Sequence, residues 1–404
     1  DETRDGRRGR LAVGELVIAH AIDDSGPTMR ILCEAGDSVQ TGGHGSVGSM
    51  TNRLEAARPF ASCPPTMGFG GIHSSPAAMP IFTIARNGFL ESIRQPIYIV
   101  VLLGGILAMV LNVNLAAFSL GQDDKLLVDL GLSTLFITGL LLAAFTATSV
   151  LSKEIENKTV LTVVSKPVAR PTLIVGKYLG VAAGMTLAYW VLTVVFLLAV
   201  RHRPQLGNGY GEVFDGPVLT FSLLGGGIAL LTAGLLNYLY RRPFPSTLAV
   251  MLGGMLTASL LIVSCFARDW WPQDPRTDFN PQLMIGIGMV YLAIMVLTAV
   301  AVVASTRLGQ VMTLLVCVGV FLVGLIGEYF LGRSLADTAG PLERSLVPLY
   351  VSIPNLQFFW PADALTQGHE ITLDYFGAVC LYAAMMIAAL LSFAVVLFQQ
   401  RDVG

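Results

Sequence analysis

Eight stretches of this chain run for about the length of a bilayer crossing without one Asp, Glu, Lys, Arg or His inside them. They are Ile97–Phe118, Leu130–Leu151, Tyr178–Val200, Pro217–Tyr240, Thr247–Ala267, Leu283–Ser305, Val311–Gly327 and Phe376–Phe398. About 20 apolar residues of helix cross a hydrocarbon core, where no water is left to solvate a charge or an open backbone. The fold class this dictates is an all-α polytopic membrane protein with about eight transmembrane helices. Composition agrees: 13% of the residues are charged, against roughly 25% in a soluble domain, which excludes one large soluble core. A net charge of −2 offers no basic field to nucleic acid, so the lipid bilayer is an expected partner and nucleic acid is not.

Lysine and arginine in the short connections orient the spans. One set of connections holds Arg86, Arg94, Lys153, Lys158, Lys166, Arg170, Lys177, Arg241, Arg242, Arg307 and Arg401. The other holds Lys125, Arg201, Arg203, Arg268, Arg276, Arg333 and Arg344 over longer loops. The denser set belongs in the cytoplasm, which places both termini there.

Residues 1–78 are rich in Gly, Ser, Asp and Arg with little periodicity. They read as a disordered, low-complexity extension, ahead of a membrane domain over residues 79–404. The run LAVGELVIAHAI is interrupted by Glu15, and DETRD in front of it is a poor signal-peptide n-region. From Ile81 to Gln95 the pattern becomes helical and amphipathic, with Ile81, Ala85, Phe89 and Ile93 on one side. Arg86, Asn87, Glu91 and Arg94 fall on other faces. Such a helix suits a membrane surface, and Pro96 breaks it from the first span, giving an N-terminal elbow.

The connection Ser152–Lys177 reads SKEIENKTVLTVVSKPVARPTLIVGK. Glu154 and Lys158 stand four apart in the favourable order for a helical ion pair, and Lys166-Pro167 ends that helix. A short helix with charged and apolar faces is a docking surface for a cytoplasmic partner, or else an interfacial loop that snorkels its lysines. Nearby, Gly176, Gly180, Gly184 and Ala188 recur every fourth residue, as do Gly139, Ala143 and Ala147; small residues at that spacing let helices approach closely. The outer connection, residues 332–374, is apolar and aromatic but is broken by Pro348, Pro354 and Pro361. It cannot cross as one helix. An interfacial or re-entrant element is expected, with Phe358, Phe359 and Trp360 at headgroup level.

Several chemistries are missing. No G-x-x-x-x-G-K-[ST] occurs, because Gly176-Lys177 lacks the leading glycine and Tyr178 follows it; the chain does not hydrolyse ATP itself. None of His20, His44, His73, His202 and His369 lies in an apolar run, and H-E-x-x-H is absent, which removes the usual metalloprotease and Ser-His centres. Cys33, Cys63, Cys265, Cys317 and Cys380 show no C-x-x-C spacing, and those in apolar runs read as small packed hydrophobes. Of the ionisable residues, only Glu328 comes close to the bilayer interior, which argues against an ion-coupled carrier. No catalytic, cofactor or metal site is expected in this chain.

With those residues in view, the sequence resembles the permease subunits of ABC transporters of the second exporter type. The elbow IARNGFLESIR, Ile84–Arg94, is similar to that family's opening pattern. Glu154, Glu156, Lys158 and Thr159, then Ser165, Lys166, Pro167, Val168 and Arg170, then Gly176 and Lys177 resemble its first cytoplasmic loop. Pro354, Asn355, Gln357 and Phe358 resemble a segment before its last span. The family core has six spans, so the eight counted here leave an extra pair within Pro217–Ser305. The resemblance implies a homodimer, or a pairing with a sister permease, bound to two P-loop ATPase subunits. ATP-Mg would then sit on the partner subunit, and the loop of residues 152–177 and the elbow would be its handles. A secondary carrier with an uncharged pathway, or a membrane scaffold that recruits an ATPase without transporting, are the rival expectations.

Overall fold

The computed structural model describes residues 78–116, 123–156, 170–202, 205–206, 212–213, 215–277, 279–327 and 354–399. The N-terminal extension up to residue 77, Lys158, Thr159, Lys166, Pro167 and Glu328 lie outside the described residues. Ten α-helices are described: α1 Ala78–Arg94, α2 Pro96–Ala116, α3 Asp123–Glu156, α4 Arg170–His202, α5 Gly216–Tyr240, α6 Phe244–Ser264, α7 Pro281–Ser305, α8 Gln310–Gly327, α9 Ala362–Gln367 and α10 Leu373–Gln399. A two-residue antiparallel ladder, Gln205–Leu206 with Glu212–Val213, and a 3₁₀ turn at Gln357–Phe359 complete them.

Seven of these, α2 to α7 and α10, are long and apolar enough to cross a membrane. The chain is an all-helical, multi-pass membrane protein. The stretch expected at Val311–Gly327 is α8, which is apolar but has only 18 residues and rises about 27 Å. The expected eight spans therefore divide into seven helices of spanning length and a shorter eighth. Two spans also run further than their apolar stretches suggested. The second continues as helix to Glu156 and the third begins at Arg170, because charged residues that lipid excludes are still good helix formers. Glu154 and Glu156 thus belong to the last turn of α3, and the rest of the expected short helix lies outside the described residues.

Helix ends are set by local chemistry. Asp215 caps α5 by accepting from the Val218 N–H at 3.1 Å. Asn280 caps α7 by accepting from Gln282 and Leu283. Proline follows each cap's helix start, where its missing N–H costs nothing. Between α5 and α6 the chain turns at Arg241, in the left-handed region at φ 52°, and the Asn237 amide donates to the Arg242 carbonyl at 2.6 Å.

The bundle is organised around α7. Of the residues in its apolar window 83% are buried, against 22% for α5 and 17% for α10, so α7 is the axis and those two are peripheral. Ile294 of α7 lies where a side chain on Gly139 of α3 would go, and Ala143 and Ala147 of the same small-residue row are fully buried. Two tyrosines of α4 stitch it to the antiparallel α7: Tyr189 donates to the Ile287 carbonyl at 2.6 Å and Tyr178 to that of Met295 at 3.3 Å. Asn112 of α2 donates to Thr134 Oγ1 of α3 at 2.8 Å and to the Leu130 carbonyl at 3.2 Å. These three polar side chains thus find partners on a neighbouring helix, which suits a water-free interior.

Candidate functional site

Of the residues singled out, Glu91 of the elbow and Gly176 and Lys177 at the end of the long connection meet on one seam, between α1 and α4. The glycine row expected to let helices approach closely faces α1. A side-chain carbon on Gly176 would lie 2.8 Å from Ile84, one on Gly180 2.6 Å from the Ala85 carbonyl oxygen, and one on Gly184 3.1 Å from Ser92 Cβ. Ile84, Gly88 and Ser92 therefore step along α4 in register with Gly176, Gly180 and Gly184, the two helices running in the same sense. At the centre, Gly88 and Gly180 meet backbone to backbone.

One charge pair closes this seam. Lys177 Nζ lies 3.7 Å from Glu91 Oε2, with the lysine side chain 5% exposed and the glutamate 30%. The lysine stem passes beside Gly88 on its way to the carboxylate. Arg86, Asn87 and Arg94 are exposed. The break expected before Pro96 falls at Gln95, which is buried, and the Ser149 hydroxyl of α3 donates to its Oε1. Tyr98, one turn into α2, donates to the Gly184 carbonyl at 2.8 Å. The α1–α2 break is therefore joined to α3 at Ser149 and to the middle of α4 at Gly184. The chain leaves α3 at Glu156 and begins α4 at Arg170; between them lies the expected docking loop.

The segment holding Pro354, Asn355, Gln357 and Phe358 is tucked between α8 and α10. The Leu356 N–H donates to the Gly324 carbonyl at 3.2 Å, and the Asn355 N–H to the Tyr382 hydroxyl at 2.9 Å. Asn355 Oδ1 accepts from the Gln357 N–H at 3.1 Å and starts the 3₁₀ turn. Of the three aromatics expected at headgroup level, only Phe358 is exposed. Phe359 is buried, and Trp360 stands edge-on to Phe136 of α3 at 5.8 Å. Their apolar area is better removed from water in the bundle than left at its surface.

The opposite end of the bundle holds a feature that the apolar pattern did not point to. There, between α3, α4, α6 and α7, a cleft of about 950 Å³ opens. Beside it Asp215, fully buried, accepts from Arg201 Nε at 3.4 Å and lies 3.8 Å from Arg268 Nε. Arg201 also donates to the Phe266 carbonyl, and Arg268 to the Arg201 carbonyl at 3.0 Å. A capping signal, Asp-Gly-Pro ahead of an apolar run, marks Asp215 in the sequence; nothing there marks its two arginine partners beyond their charge. No protein-family model matches this chain, and no curated protein matches it.

Proposed function

We propose that the chain is the permease subunit of an ATP-driven transporter of the second ABC exporter type, set in the cell (inner) membrane with both termini cytoplasmic and driven by a separate P-loop ATPase. The observation that carries this reading is that α1 lies along the first half of α4, joined to it by Lys177 and Glu91, and meets α3 where Ser149 donates to Gln95. The helices on both sides of the loop are thus tied together through α1. A partner that grips the loop of residues 152–177 would pull on both helices that the loop joins. Because α4 is one unbroken helix of 33 residues, about 50 Å long, a tilt imposed at Lys177 reaches Arg201 at the other end. ATP-Mg is held by the partner, and a second copy of the chain or a sister permease completes the transporter. The α5–α6 hairpin, peripheral to the α7 axis, is then the pair added to a six-span core.

The test is a pull-down of the solubilised full chain with its ATPase. Reversing Glu154 and Glu156 to Lys leaves insertion intact, since both lie past the apolar run, and weakens association with the ATPase about tenfold, worth ~1.4 kcal/mol. Unchanged ATPase coupling in the double reversal overturns the reading. Transport of a solute without any ATPase favours the uncharged carrier, and ATPase recruitment without transport favours the scaffold.

A further inference from the structure

The cleft at the far end of α4 combines apolar walls with three cationic side chains. Leu127, Val128, Leu197, Leu260, Leu283 and Met284 form its walls. Lys125, Arg201 and Arg268 line it as well, with Asp124 the carboxylate among the lining residues and Asp215 buried behind the arginines. The two guanidiniums are not loose surface groups. Asp215 and the carbonyls of Phe266 and Arg201 hold them, and a fork fixed in this way binds phosphate-type oxyanions without first being ordered. A volume of about 950 Å³ falls within the roughly 300–1,000 Å³ of ligand sites.

The level of the mouth identifies the kind of ligand. The α6–α7 connection that borders it is built, not loose: Ala267 donates to the Trp271 carbonyl at 2.7 Å and Gln273 to that of Cys265 at 2.9 Å. It presents Trp270, Trp271 and Phe279 outward, Trp271 at 74% exposure. Tryptophan gathers where headgroups meet water, so the rim stands at the height of lipid headgroups and the walls at the height of their chains. We infer that this cleft binds a single-chain amphiphile with an anionic, phosphate-type head, the head at Lys125, Arg201 and Arg268 and the chain between α3, α4, α6 and α7. The inference needs only the membrane placement of the helices. It stands or falls apart from ATPase coupling.

The test uses the full chain in phosphatidylcholine nanodiscs, without an ATPase, and a fluorescent lysophosphatidic acid read by anisotropy. Saturable binding is expected. A monoacylglycerol and an alkyl trimethylammonium of the same chain length displace it poorly, and glycerol 3-phosphate does not displace it. Leu197→Trp, which fills the cleft, removes binding. Lys125→Glu, at an exposed position, weakens it about tenfold; both variants are checked for an unchanged elution profile. Tight displacement by the neutral or cationic amphiphile would show that the rim does not select charge. Displacement by glycerol 3-phosphate would make it a site for free phosphate esters, and unchanged binding in Leu197→Trp would place the lipid elsewhere. Any of these outcomes overturns the proposal.

Discussion

Gly180 and Gly226 are both glycines inside long apolar helices, and the sequence treats them alike. Their surroundings do not. A methyl group on Gly180 meets the Ala85 carbonyl oxygen at 2.6 Å and the Phe89 nitrogen at 2.9 Å, whereas nothing lies within 4 Å of one on Gly226. Backbone cannot swing away as a side chain can. Gly180→Ala should therefore destabilise the protein by about 1–3 kcal/mol through overpacking. Gly226→Ala should be neutral or stabilise by up to about 1 kcal/mol, from helix propensity. Thermal unfolding in detergent checks both, and equal melting temperatures would refute the close approach of α1. The spacing of the glycine row was legible in the sequence; which helix it receives was not, because a four-residue repeat describes one face and says nothing of its partner. Lys177 shows the same limit. Its neighbours suggest a snorkelling cytoplasmic lysine, yet its side chain is 5% exposed and its ammonium lies 3.7 Å from Glu91.

At the scale of elements, α1 is the case where the sequence pattern and the packing say different things. Its helical period and its end before Pro96 were readable from Ile81, Ala85, Phe89 and Ile93. That pattern suits a lipid surface, but much of the face near Gly88 and Ser92 is used against α4. The two helices should then move as one body. Ser92 and a side chain on Gly184 would bring their Cβ atoms to 3.1 Å, close to the roughly 3.5–4.5 Å of a disulfide. The double variant Ser92→Cys, Gly184→Cys should cross-link on mild oxidation and keep its association with the ATPase undiminished. Loss of association on cross-linking, restored by reductant, would mean that α1 slides on α4. The aromatic segment before α10 follows the same logic. Its prolines exclude a full crossing, but only the neighbouring Gly324, Phe136 and Tyr382 explain why Phe359 goes inward while Phe358 stays out.

For the whole molecule, the alternation of helices puts the Arg241–Pro243 turn at the α1 end of the bundle and the α6–α7 connection at the cleft end. In a chain freed of its own cysteines, Arg242→Cys should react with a membrane-impermeant thiol reagent only from the cytoplasmic side. Asp274→Cys should react only from the other side. Labelling of both from one face would break the alternating arrangement. The sequence by itself determined the class of this protein, because lipid forbids charge and open backbone so strictly that apolar run length alone marks a spanning helix. It also determined where helices break, since Pro96, Pro217 and Pro281 act through their own backbone. The tertiary structure decided which helix is the axis, which glycine row receives α1 and where the arginines of the cleft are held. Those depend on contacts between residues far apart in the chain. Along an apolar stretch every face looks equally suited to lipid or to protein, so shape complementarity alone chooses the neighbour.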